Sequence, residues 1–222
     1  MILERMVVGM LQTNCYLVAD PHSRQAAVID PGGDGDRIAA RIRGLGLELM
    51  AILNTHGHFD HVLDAWTLKQ QFGAQVYLNR KDQAILDNRS VGLAGLFTSA
   101  SKSPRGSVDQ WLQEGDRVQI GAICLEVLET PGHTPGHISL YYRQGNLIFV
   151  GDTLFAGSIG RTDFPGGSYE QLLRSVREKI FPLNARTLVY PGHGPETTVG
   201  EEMRSNPFFS NRSPVKGGHY AR

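Results

Sequence analysis

Thr55-His56-Gly57-His58-Phe59-Asp60-His61 gathers three of the chain's eight histidines and an aspartate into one heptapeptide. Its setting makes it restrictive. An apolar run of strand length, residues 50–54, leads into it, and Val62, Ala65, Trp66, Leu68 and Phe72 follow at helical spacing. Such a strand-to-helix junction is where a rigid scaffold presents ligands. In extended chain, residues two apart project to the same side, so His56 and His58 can close on one metal ion. Asp60 and His61 come where the backbone turns into the helix, and they can aim at a second, neighbouring position. Imidazole and carboxylate together suit Zn²⁺, and also Fe or Mn.

Four side chains cannot complete two such sites, so other loops must contribute. The candidates are His133 in Thr130-Pro131-Gly132-His133-Thr134-Pro135-Gly136-His137, Asp152 in Val150-Gly151-Asp152-Thr153, and His193 in Pro191-Gly192-His193-Gly194. Each follows a β-type apolar run and lies among glycines. Together they supply one more nitrogen for each position and a carboxylate able to bridge the two. His137 is expected to brace the loop that carries His133.

The rest of the chain reads as alternating β and α. Strands are expected at 14–19, 26–30, 50–54 and 75–78, with a helix from Asp34 or Asp36 that carries Ile38, Ile42 and Leu45. The β signal returns over 117–129, 137–142 and 146–150. Ser168 has the character of an N-cap for a helix to about residue 180, and 187–190 is a last strand. Residues 88–110, rich in Gly and Ser around a small apolar knot, read as an insertion or lid. The expected organisation is one domain over 1–207 and a tail over 208–222.

Charge narrows the function classes. Lys+Arg and Asp+Glu are both 22, and a chain without a basic surplus is poorly suited to nucleic acid. No stretch reaches the ~20 apolar residues of a membrane span, and Glu4 and Arg5 interrupt the only N-terminal apolar run. Two cysteines, Cys15 and Cys124, form no disulfide framework. A cytoplasmic protein is expected.

The pattern His-x-His-x-Asp-His at 56–61, followed in order by His133, Asp152 and His193, resembles the metallo-β-lactamase-fold hydrolases. Gly151-Asp152-Thr153-Leu154-Phe155 and Gly160-Arg161-Thr162-Asp163-Phe164 look most like the glyoxalase II-type (hydroxyacylglutathione hydrolase-like) group in its short form, which lacks a C-terminal helical domain. The resemblance implies an α/β fold, the four-layer αββα sandwich. It implies His56, His58 and His133 on one metal, Asp60, His61 and His193 on a second, and Asp152 bridging, with Asp60 and Asp152 as the catalytic carboxylates. Two divalent cations, zinc before iron or manganese, would hold a hydroxide that attacks a thioester, with S-D-lactoylglutathione as the implied substrate. Tyr142, Arg143, Arg161 and Tyr169 are the expected substrate contacts. The same ligand set occurs in lactonases and in thioesterases that do not use glutathione. Persulfide dioxygenases share the fold and the Gly-Arg-Thr-Asp-Phe run but use one iron, which here would sit on His56, His133 and Asp152; they typically carry Cys where this chain has Ile159.

Overall fold

Period-two burial along the strands builds two sheets that share one interior. In β3 (Gln25–Ile29), Ala26 and Val28 face outward into one apolar cluster, while Ala27 and Ile29 face inward into another. A computed structural model of the chain describes residues 1–87 and 106–209.

The first sheet has the order β1 (Ile2–Val8), β2 (Thr13–Ala19), β3, β4 (Glu48–Leu53), β5 (Gln75–Leu78) and β6 (Gln110–Trp111). The second runs β14 (Thr197–Thr198), β13 (Leu188–Pro191), β10 (Leu147–Gly151), β9 (Ile138–Tyr142), β8 (Ile123–Glu129) and β7 (Arg117–Ile120). A short hairpin, β11 (Leu154–Phe155) and β12 (Ser158–Ile159), stands apart. Tyr16, Val18, Leu53, Leu125, Leu140 and Phe149 fill the space between the sheets.

Outside the first sheet, α1 (Gly35–Gly44) and α3 (Ala65–Phe72) bury Ile38, Ile42, Trp66 and Leu68, and a short α4 (Gln83–Asp87) follows β5. Outside the second, α5 (Tyr169–Ser175) and the π-turn Val176–Ile180 bury Leu172, Val176 and Ile180 against Ile148, Val150 and Val189. The layers therefore run helix, sheet, sheet, helix. Full burial of each such aliphatic side chain contributes about 1.5–3 kcal/mol. Among the described residues no helix is long and apolar enough to cross a membrane.

Several local expectations change. β1 is an edge strand that pairs antiparallel with all of β2, although its partly exposed pattern gives little sequence signal. Asp34 adopts a left-handed backbone with φ of 56° and does not cap α1. Instead Gly35 N–H donates to Asp64 Oδ2 at 2.9 Å, which ties α1 to the start of α3. The helix expected after His61 is two pieces, α2 (Phe59–Val62) and α3, with Asp64 at the junction. Ser168 does cap α5, accepting from Gln171 N–H at 3.4 Å.

Most of the insertion expected at 88–110, and all but two residues of the tail at 208–222, lie outside the described residues. The end of the insertion belongs to the sheet: Val76 N–H donates to Asp109 at 2.8 Å, and Gln110 opens β6.

Strand direction places the site. β3 and β4 run parallel in one sheet, as do β10 and β13 in the other, and β8 lies two antiparallel steps from β10. The C-terminal ends of these strands deliver residues 30, 54–61, 130–137, 152 and 193 to one rim of the sandwich.

Candidate metal centre

Beyond β4 the chain bends at Thr55 and His56 and is extended again at His58, the N-cap of α2. The bend brings the rings of His56 and His58 together. The loop after β8 is joined to this segment by Ile138 N–H, which donates to Thr55 O at 2.9 Å, and it brings His133 opposite. His56 Nε2 lies 3.1 Å from His58 Nδ1, which lies 2.9 Å from His133 Nε2. Across the rim, Asp60 Oδ2 is 3.6 Å from His61 Nε2 and 3.4 Å from His193 Nε2. Asp152 stands between the two groups. Its Oδ1 is 3.5 Å from His61, and its Oδ2 is 3.7 Å from His133 and 3.6 Å from His193. All seven candidate ligands converge.

Hydrogen bonds on the far side of each ring decide which nitrogen faces inward. Asp30 Oδ2 receives His61 Nδ1–H at 2.9 Å, and the Arg161 carbonyl receives His133 Nδ1–H at 2.7 Å. Thr55 Oγ1 donates to Asp30 Oδ2 at 2.7 Å and so accepts from His56 Nδ1–H at 3.0 Å. His56, His61 and His133 are thereby set to present unprotonated Nε2 atoms to the centre, the arrangement in which an outer partner fixes a ligand's tautomer. His137 braces this region as expected: Asp152 N–H donates to its Nε2 at 3.0 Å, and its Nδ1 lies 3.0 Å from the hydroxyls of Thr130 and Thr153.

The donor set fits divalent cations. His56 and His133 both turn an unprotonated Nε2 toward His58 Nδ1, and three ring nitrogens gathered this closely match the imidazole donors that a divalent cation takes. His61 Nε2 and Asp152 Oδ1 are buried without hydrogen-bond partners. Such orphaned groups are costly unless an ion satisfies them.

The local field agrees. Burial disfavours charge on His61, yet Asp152, Asp30 and Asp60 outweigh it and hold the ring's pKa well above the ordinary value. Burial also works against ionised Asp152, but His61, His193 and His133 keep that carboxyl far below the usual carboxylate range. His58, desolvated and beside His133, is pushed down to about 4. His56 and His137, fully buried, are driven well below their ordinary values. The field thus favours positive charge beside Asp152, on the side of His61 and His193, and keeps the His56, His58 and His137 rings neutral. The fold and this His/Asp site imply divalent metals.

The expected substrate contacts divide. Tyr142 ends β9 and Arg143 follows it, at the opposite rim, because β9 runs antiparallel to the strands that end at the site. Arg143 is paired there with Glu126 at 3.2 Å, so neither residue reaches the centre. Arg161 is at the centre's edge: its guanidinium pairs with Asp163 at 2.7 Å and lies 3.7 Å over the Phe164 ring. Tyr169 opens α5, which Ser168 N–H ties to Gly132 O at 2.7 Å, and it is 45% exposed.

Sequence reasoning passed over Phe155 and Phe164, whose rings lie 6.3 Å from His193 and 5.7 Å from His58, one beside each half of the centre. It also passed over the buried carboxylates Asp30 and Asp82. Asp30 at the end of an apolar run, before Pro31-Gly32-Gly33, was the available signal. Asp30→Asn places an amide where His61 needs an acceptor. The variant is expected to weaken binding at the Asp60–His61–His193 position by about 10–100-fold, measured by zinc titration against a chromophoric chelator.

Matched against known families, the chain belongs to the Metallo-beta-lactamase superfamily, whose pattern it follows over residues 8–193. It is 42% identical to hydroxyacylglutathione hydrolase GloC of Haemophilus influenzae, over 96% of this chain and all of that one. Among solved structures it is similar to BLEG-1 B3 metallo-beta-lactamase, with TM-score 0.87 and 37% identity over 94% of this chain and 100% of that one. It also resembles TTHA1623 in a di-iron-bound form, with TM-score 0.80 and 38% identity over 92% and 99% of the two chains. ETHE1 from Myxococcus xanthus follows, with TM-score 0.77 and 32% identity over 93% and 84%.

Proposed function

We propose that this chain hydrolyses small-molecule thioesters, S-D-lactoylglutathione foremost, at a centre of two divalent cations, zinc before iron or manganese. The observation that carries the reading is Asp152, a buried carboxylate facing donors of both histidine groups. The GloC relative supports the thioester class. His56, His58 and His133 would hold one cation and Asp60, His61 and His193 the other, with Asp152 between them. When bound, such a pair supplies a water acidic enough to ionise near neutral pH and an electrophile for the carbonyl oxygen.

The chain's own residues do the rest. Asp30 and the Arg161 carbonyl hold the rings of His61 and His133 in register. Asp60 and Asp152 balance the positive charge of the centre. Phe155 and Phe164 put one apolar ring beside each histidine group, where the acyl chain can pack. His58, Asp60 and His193 are the part-open ligands, so substrate approaches across them. The departing thiolate is stable enough near neutral pH that no residue need protonate it. Free Cys15 and Cys124 fit a reducing compartment such as the cytoplasm.

The test compares S-D-lactoylglutathione with a glutathione-free thioester and a lactone, before and after chelation. Hydrolysis of the first above the others, lost on chelation and restored by two equivalents of zinc per chain, is expected. Equal rates on both thioesters would defeat the glutathione assignment, and rates unchanged by thorough metal stripping would defeat the mechanism. Oxygen uptake with glutathione persulfide would favour the single-iron oxidoreductase reading; Ile159, where those enzymes typically carry Cys, speaks against it.

A further inference from the structure

Resting on the two-cation reading, we infer that Asp82 is a positioning residue for the His56–His58–His133 half of the centre alone. Asp82 ends the 3₁₀ turn Arg80–Asp82 after β5, remote in sequence from every candidate ligand, and it is fully buried. Its carboxylate accepts three hydrogen bonds. Gly57 N–H donates to Oδ2 at 2.9 Å, the Thr134 hydroxyl to Oδ2 at 2.6 Å, and Gly136 N–H to Oδ1 at 2.6 Å.

Gly57 separates His56 from His58, and Thr134 follows His133. One side chain therefore grips both ligand loops directly beside the rings that face each other at 2.9 Å. At the base those loops are joined by Ile138 N–H and Thr55 O; at their tips Asp82 sets the separation. It is also lodged tightly, since a Cβ at Gly136 would come within 2.7 Å of Asp82 N and Oδ1.

The other half has different supports. Asp30 holds His61, and His193 follows β13, whose main chain is fixed by Asn14 N–H donating to Gly192 O at 2.7 Å. Among the described residues, the Asp82 carboxylate makes no hydrogen bond to Asp60, His61 or His193. Altering Asp82 should therefore loosen one cation and leave its neighbour in place. General loss of structure would release both.

An amide cannot replace this carboxylate. Three donors converge on two oxygens, and Asp82→Asn must turn an N–H toward either Gly136 N–H or Gly57 N–H.

The test measures zinc content and affinity of the full chain after dialysis against a chelator of moderate strength. Long-range ¹H–¹⁵N spectra of the histidine rings report which nitrogens are coordinated. Asp82→Asn is expected to retain one zinc per chain, with the first ion weakened by about 10–100-fold. His58 and His133 should lose their metal-bound shifts, while His61 and His193 keep theirs. Thr134→Val, which removes one of the three donors and leaves the carboxylate, should weaken the same ion by about fivefold; it decides the matter if Asp82→Asn does not fold. Two ions held at unchanged affinity, or both ions lost in parallel from a folded variant, overturn the inference. A wild-type chain that takes up fewer than two ions overturns the two-cation reading and this inference with it.

Discussion

Asp152→Ala is expected to lose at least one of two bound cations and to lower kcat for thioester hydrolysis by ~10²-fold or more, the scale on which removing one preorganised electrostatic element registers. Asp152 is the carboxylate that faces donors of both halves, within 3.5–3.7 Å of nitrogens from His61, His133 and His193. Truncation removes the charge that would offset the proposed cations in a buried place, and it leaves three rings with nothing between them. Asp152→Asn separates the factors, since it keeps the shape and the one carbonyl acceptor but lacks the charge. Metal analysis with steady-state kinetics on both variants checks this. A truncated variant with two metals and near-normal kcat would show that Asp152 does not bridge.

Gly192→Ala is expected to cost about 10²-fold in kcat/KM without unfolding the chain. A Cβ at Gly192 would stand 2.2 Å from Asp152 Oδ1 and 2.7 Å from His61 Cε1. The main chain cannot retreat, because Gly192 N–H donates to Gly151 O at 2.8 Å and Gly192 O accepts from Asn14 N–H at 2.7 Å. The carboxylate must give way by roughly 1 Å, and a displacement of that size at a reacting centre costs about 10²-fold. Kinetics beside circular dichroism and a melting curve make the measurement. An unchanged kcat/KM would mean that Asp152 has slack the hydrogen bonds do not suggest.

Much of this centre could be read from the order of residues because its chemistry is local in the chain where it matters most. An apolar run followed within two residues by His56-Gly57-His58 marks two donors close in sequence, and the apolar runs of β3 and β10 announce themselves through burial on both faces. What stayed hidden depends on separation in sequence. Asp30 reaches His61 across 31 positions and Asp82 reaches Gly136 across 54, and no short-range pattern marks such partners. Tyr142 and Arg143 were misplaced for a related reason: their strand was recognised, but its direction relative to β10 is a property of the assembled sheet. Asp34 has the composition of a helix cap, yet its left-handed backbone leaves that duty to Asp64 on another helix.

The candidate ligands hang from two different sheets, four beyond β4 and three beyond strands of the partner sheet, with Tyr16 packed at an angle against Phe149 and Tyr190 between them at 5.1 and 5.5 Å. Each half of the centre draws donors from both sheets, so the width of each donor group is not a local dimension of one loop but a reading of how far apart two slabs are held. Interiors packed to crystal-like density transmit small volume changes as strain. A homologue adapted to colder or hotter surroundings cannot retune that aromatic spacer without also resetting the reach of its own chemistry.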